Sequence, residues 1–324
     1  MRLVHLLPPE FAHSIARYAL SLPAVRVPND ERLRTRVGGV SLPNPVGLAA
    51  GYDKYGLLYW QFSRWGMGFY VLGSITALER RPYPRPRLYR PRDGLWLLNA
   101  YGLPSKGVIA ASRLLAGIRP RVPIFASVAG FSLEEFSVLI RAMDGLPSVS
   151  ALELNISCPL FDDPAGMEEL AALASRLTAK TSLIKLSPRH ERFVEEAAAI
   201  AEERGMGLTL YNTIPVRTEL LGAGRGGLSG LPLYGLTLKA IARARSSSER
   251  IPLIAVGGIM TGVQALEAIE AGADAVQVLS AIAFRGPTAF RDILLELLEA
   301  MRSKGYGSVA EARGYRTRAV LRAA

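Results

Sequence analysis

The 324-residue chain has one cysteine, three histidines, three tryptophans and only six lysines. Its single thiol, Cys158, excludes an internal disulfide and any multi-cysteine metal site. The histidines, His5, His13 and His190, are scattered and read as surface or packing residues, so no metal centre is expected. No stretch of about 18 apolar residues is free of charge or proline, which excludes a spanning helix. Pro8 and Pro9 interrupt the start before the apolar core of a signal peptide could form. A cytoplasmic protein in a reducing compartment is the expectation.

Apolar residues make up 49% of the 35.0 kDa chain, enough to bury a large core as one large domain or two small ones. The net charge is +11, and residues 80–92 hold six arginines with Tyr83 and Tyr89 between them, a stretch that could bind phosphates. Arginine is nevertheless the default cation of the whole chain, supplying 33 of its 39 basic residues. Net charge speaks only weakly to partners, and no nucleic acid is expected.

Eight apolar, β-rich runs recur at residues 46–50, 69–74, 123–129, 151–157, 183–187, 207–213, 251–258 and 275–280. Helix-period segments separate them at 131–145, 166–180, 190–205, 232–246, 261–271 and 287–303, with weaker patterns at 57–66 and 105–116. Asp162 or Asp163, and Thr261, are suitable helix starts. Alternation of strand and helix implies parallel pairing, and eight units over about 250 residues is the size of an α/β (β/α)8 TIM barrel. An open doubly wound sheet ranks second, since it usually stops at fewer strands. The expected organisation is a helical extension over 1–40, with an amphipathic segment at 11–20, followed by a catalytic barrel over 41–324. The connections after strands two and six, 77–104 and 214–231, are too long for turns and should cross the barrel mouth.

In such a barrel the carboxyl ends of the strands face the active site. The first strand ends in Ala49-Ala50-Gly51-Tyr52-Asp53-Lys54, the second in Gly73-Ser74, the third in Ser127-Val128-Ala129-Gly130 and the fourth in Asn155-Ile156-Ser157-Cys158. The fifth carries Lys185, the sixth Tyr211-Asn212-Thr213, the seventh Gly257-Gly258 and the eighth Leu279-Ser280. Lys185 lies inside an apolar run and must find a counter-charge, because an unpaired buried ammonium is costly. Loops after the last two strands of barrels often bind phosphate through backbone N–H groups, and Gly257-Gly258 permits that approach. Two lysines and these glycines on one mouth point to a phosphorylated, electron-rich cofactor.

Six segments in order, Asn44–Lys54, Pro86–Arg90, Asn99–Leu103, Asn155–Pro159, Gly226–Leu233 and Gly257–Ile259, resemble the dihydroorotate dehydrogenase family over nearly the whole chain. The resemblance implies an FMN enzyme of pyrimidine (UMP) biosynthesis that oxidises dihydroorotate to orotate and passes electrons to a quinone, fumarate or NAD. It implies FMN contacts from Ala50, Gly51, Lys54, Ser74, Ser127, Asn155, Lys185, Tyr211, Gly227, Gly257, Gly258, Leu279 and Ser280. It implies substrate contacts from Lys54, Asn99, Ala100, Tyr101, Gly102, Leu103, Asn155, Asn212 and Thr213. Cys158 would take a proton from C5 while hydride leaves C6 for flavin N5, and Lys185 would stabilise charge on the reduced flavin.

Cys158, the Asn99–Leu103 lid and Gly305–Val309 resemble the subfamily that uses soluble acceptors. Residues 6–13, the placement of Lys54 and Gly226–Leu233 resemble the quinone-linked one. The second likeness implies peripheral membrane contact through the N-terminal helix; an oligomer or an electron-transfer partner subunit is also compatible. Leu160 stands where the family commonly has an asparagine that contacts orotate. Two alternatives rank lower. An FMN-dependent tRNA dihydrouridine synthase also combines barrel and cysteine, but the chain shows no obvious RNA-binding extension. A non-catalytic phosphate-ligand barrel would not need so complete a set of site residues.

Overall fold

The computed structural model describes residues 28–156, 161–286 and 288–323. Fourteen strands are present among them. β1 (Thr35–Val37) and β2 (Val40–Leu42) form an antiparallel hairpin, followed by β3 (Val46–Leu48) and β4 (Phe69–Ile75). β5 (Leu88–Tyr89) and β6 (Trp96–Asn99) precede β7 (Ile124–Val128), β8 (Val149–Asn155), β9 (Thr181–Lys185) and β10 (Gly207–Leu210). β11 (Ile214–Arg217) and β12 (Arg225–Gly230) are followed by β13 (Leu253–Val256) and β14 (Ala275–Val278).

The eight expected strands close into one barrel in the order β3-β4-β7-β8-β9-β10-β13-β14, every pair parallel. Both faces of such strands are buried, which is why they read as apolar runs rather than as alternation. The helices between them coincide with the periodic segments, and three of them start on side-chain caps. Ser132 accepts from Glu135 N before Leu133–Asp144, Asp163 from Gly166 N before Pro164–Leu177, and Thr261 from Gln264 N before Gly262–Ala271. Each such cap is worth about 1 kcal/mol because it satisfies an otherwise orphaned helix N–H.

The β1–β2 hairpin plugs the amino-terminal end of the barrel. Val37 and Leu42 pack there against Phe69, Phe125, Leu183 and Ile254 in a cluster separate from the main core. Burying a side chain of this size contributes roughly 1.5–3 kcal/mol. With that end sealed, the open end is the carboxyl one. There the two long connections do more than cross the mouth. They pair into a four-stranded antiparallel sheet, β11-β12-β6-β5, with Asn99 opposite Gly227 and Leu98 opposite Leu228. Among the described residues no helix is long and apolar enough to cross a membrane. The expected amphipathic helix at 11–20 lies outside the described residues.

Candidate active site

The counter-charge demanded by Lys185 is Glu153, two residues before the end of β8. Lys185 Nζ donates to Glu153 Oε1 at 3.0 Å, and both side chains are almost wholly buried. The other carboxylate oxygen accepts from Gln277 Nε2 of β14 at 2.9 Å. Asn155, on the same face as Glu153 by the two-residue period of a strand, donates from Nδ2 to Ser74 Oγ at 2.8 Å. The Ser74 hydroxyl in turn meets Ser127 Oγ at 3.0 Å. The third and second strands are thereby tied to the fourth by side chains at their tips.

Lys54 sits in the loop after β3 with Nζ donating to Gly51 O and lying 4.0 Å from the centroid of the Tyr101 ring. Burial pushes its ammonium down to about 8, against the pull of the neighbouring Asp53 charge. Asp53 is held away by its own donors, Leu57 N at 3.1 Å, Leu58 N at 2.5 Å and Tyr70 Oη at 2.8 Å. A partly desolvated cation facing a cavity is suited to an anionic ligand, because it recovers on binding the Coulomb energy it lacks when empty.

A cavity of about 720 Å³ lies between the strand tips and the four-stranded sheet. That is inside the roughly 300–1,000 Å³ range of small-molecule sites. Ala50, Gly51, Lys54, Ser74, Asn155, Lys185, Asn212, Thr213, Gly227 and Leu279 line it, with Asn99, Ala100, Tyr101, Gly102 and Leu103 as its cover. Asn99 Nδ2 donates to Gly227 O at 3.3 Å, joining the cover to β12. A smaller cavity of about 80 Å³ shares Ala50, Asn99, Lys185, Asn212, Thr213 and Leu279 and adds Tyr211, Gly257, Gly258, Gln277 and Ser280. Gly258 is in the left-handed region (φ 79°), and a Cβ there would stand 2.6 Å from Tyr234 N. Only glycine leaves that backbone in place.

Every site residue inferred from the sequence except Ser127 and Cys158 therefore lines one of two adjoining cavities. Ser127 is fully buried and acts through Ser74. Cys158, with Ser157, Pro159 and Leu160, lies outside the described residues. His190 is buried, with its ring against Ser187 and Asp162, and lines neither cavity. Sequence reasoning missed Glu153 and Gln277, and also Arg217 and Arg225, which line the larger cavity. A single acid inside the apolar stretch Ala151–Ile156 was the available signal for Glu153.

The donor set fits a flat, phosphorylated heteroaromatic. Amides and hydroxyls converge from Asn155, Ser74, Asn212 and Thr213, a cation is offered by Lys185, and the glycine cradle lies at the narrow end. Two further barrel side chains, Thr209 Oγ1 and Gln277 Oε1, are buried without a hydrogen-bond partner among the described residues. Buried polar atoms of this kind are rarely left alone, and of the two Gln277 lines the smaller cavity, where its carbonyl is an acceptor for a donor on a bound group. Among the described residues no group of histidine, cysteine and acidic side chains could hold a metal ion.

The family model described as dihydroorotate dehydrogenase matches residues 32–301. Dihydroorotate dehydrogenase (quinone) of Thermus thermophilus is 32% identical, covering 96% of this chain and 99% of its own. Dihydroorotate dehydrogenase A (fumarate) of Lactiplantibacillus plantarum is 36% identical, covering 86% and 96%. The crystal structure of DHODH from Eimeria tenella in complex with ferulenol superposes with a TM-score of 0.84 at 25% identity over 96% of both chains. The barrel, the cavity at its carboxyl end and these likenesses agree: the chain belongs to the dihydroorotate dehydrogenase family.

Proposed function

We propose that the barrel mouth carries out the family's reaction, oxidation of dihydroorotate to orotate, with FMN as the resident cofactor and Cys158 as the base. The observation that carries the reading is that all six family segments contribute residues to two adjoining cavities at the strand tips. FMN would be held by Ala50, Gly51, Ser74, Asn155, Lys185, Gly227 and Leu279, with Gly257, Gly258 and Ser280 at its phosphate. When bound it supplies a two-electron acceptor that is later reoxidised by a second substrate, a quinone or a soluble oxidant, as the names of the relatives say of them.

The protein's own residues do the rest. Lys54 holds the substrate carboxylate by charge-assisted hydrogen bonds, and Asn99, Asn212 and Thr213 present donors and acceptors to its ring amides. The Asn99–Leu103 cover excludes water from the cavity. Cys158, three residues beyond Asn155 in sequence, takes the C5 proton on Sγ as its thiolate. Replacing Cys158 by Ser is expected to leave flavin bound and to slow its anaerobic reduction by dihydroorotate by at least about tenfold, the usual scale of general-base effects. An unchanged reduction rate in stopped flow would remove Cys158 from the role.

A further inference from the structure

We infer that Glu153 is a positioning residue that neutralises Lys185 and locks Gln277, so that the floor of the cofactor cavity carries a neutral ion pair rather than a free cation. The inference rests on the proposed binding of FMN beside Lys185.

Three observations converge on it. Lys185 has one acidic neighbour at 3.0 Å, and both side chains are almost wholly buried, so water screens the pair only weakly. Glu153 also receives Gln277 Nε2 at 2.9 Å on its second oxygen. A carboxylate accepts only, so the Gln277 amide must turn its NH2 toward Glu153 and its carbonyl away. The carbonyl oxygen is the buried acceptor left without a partner among the described residues. Finally, Lys185 and Gln277 both line the smaller cavity, and Lys185 the larger one too, whereas Glu153 lines neither. Glu153 is thus behind the two residues that reach the cofactor and acts through them.

The electrostatic consequence has a definite sign. A free cation beside a flavin favours the reduced, more negative form, but a cation paired with a buried carboxylate does so far less, because the two potentials nearly cancel at a distance. Glu153 therefore keeps the flavin at a lower potential than Lys185 alone would impose.

The test is a spectroelectrochemical titration of the bound flavin. Glu153→Gln is expected to favour reduction at least about tenfold, a positive shift of about 30 mV for a two-electron couple. Glu153→Asp, which keeps the charge, is expected to return most of the way to wild type. A flavin-loaded Glu153→Gln protein with an unchanged or lower midpoint overturns the inference. If that variant does not fold because Lys185 is left buried and unpaired, the double variant Lys185→Met/Glu153→Gln buries no unpaired charge. Its flavin is expected within about threefold of the wild-type equilibrium, whereas a loss of tenfold or more means that Lys185 acts as a free cation and overturns the inference. A wild-type protein that cannot be loaded with FMN defeats the functional reading itself; an unmoved midpoint on a loaded protein defeats only the role of Glu153.

Discussion

Lys54 gives the most direct link between a measured equilibrium and the geometry of the mouth. Its ammonium is covered by the Asn99–Leu103 segment, rests over Tyr101 and is pushed from the ordinary 10.5 to about 8 by burial, with Asp53 opposing the shift. An anionic ligand needs the protonated form, so the sign is fixed: affinity falls as pH rises through the lysine's midpoint. At pH 9 a group titrating at about 8 is roughly one-tenth protonated, while an unperturbed lysine is still almost fully so. Orotate binding, followed by its perturbation of the flavin spectrum between pH 6.5 and 9, should therefore weaken about tenfold from pH 7 to pH 9. Using the product avoids the proton-transfer step and its own pH dependence. Asp53→Asn removes the charge that holds the ammonium up and should move the fall to lower pH. Linkage gives a cross-check on the ligand-free protein: between about 8 and 10.5 the unfolded state holds more protons at this site, so stability should rise with pH across that window. Orotate affinity constant within about twofold over the range would refute the placement of Lys54 as a desolvated carboxylate receptor.

Other consequences are equally open to measurement. Ser74→Ala strips Ser127 and Asn155 of the hydroxyl they share, and should cost roughly 1–3 kcal/mol in urea unfolding as buried polar groups lose a partner; an unmoved midpoint would deny the network. Gly258→Ala meets a left-handed backbone and a contact of 2.6 Å with Tyr234 N. It should lose at least about 1–2 kcal/mol of stability together with bound flavin, and full flavin occupancy would contradict the phosphate cradle. Arg217 and Arg225 oppose each other across β11 and β12 and both line the larger cavity, an arrangement of like charges that costs stability. Replacing Arg225 by Gln should lower kcat/KM at low ionic strength and flatten its decline with added salt, since exposed charges steer anions only where screening is weak. Identical salt curves for the two proteins would show that these arginines do not guide the substrate.

The barrel was legible because each of its strands is buried on both faces, so continuous apolar runs at 69–74 or 123–129 stand out against amphipathic helices. The apolar runs extend past the strands, to Ala50 and Thr213 where the ladders stop at Leu48 and Leu210. The excess residues are the tips that leave the sheet to line the cavity. The mouth sheet shows in the sequence only as two long connections. Its strands are short, broken by arginine, proline and glycine, and joined by pairings such as Asn99 with Gly227, 128 residues apart. No local pattern records a contact at that separation. Glu153 escaped notice for a related reason. Its neighbours are apolar, and nothing along the chain says that Lys185, one strand away, faces it. Cys158 was the most conspicuous residue of the sequence, and its role is a matter for the stopped-flow experiment rather than for the fold.

The most direct test of the account is an anaerobic reduction. The purified protein, loaded with FMN, should lose its flavin absorbance on addition of one equivalent of dihydroorotate, release orotate, and recover colour when a quinone, fumarate or NAD is supplied in separate runs, the effective oxidant identifying the acceptor. A yellow protein that dihydroorotate leaves oxidised would contradict the assignment of the barrel mouth to this reaction.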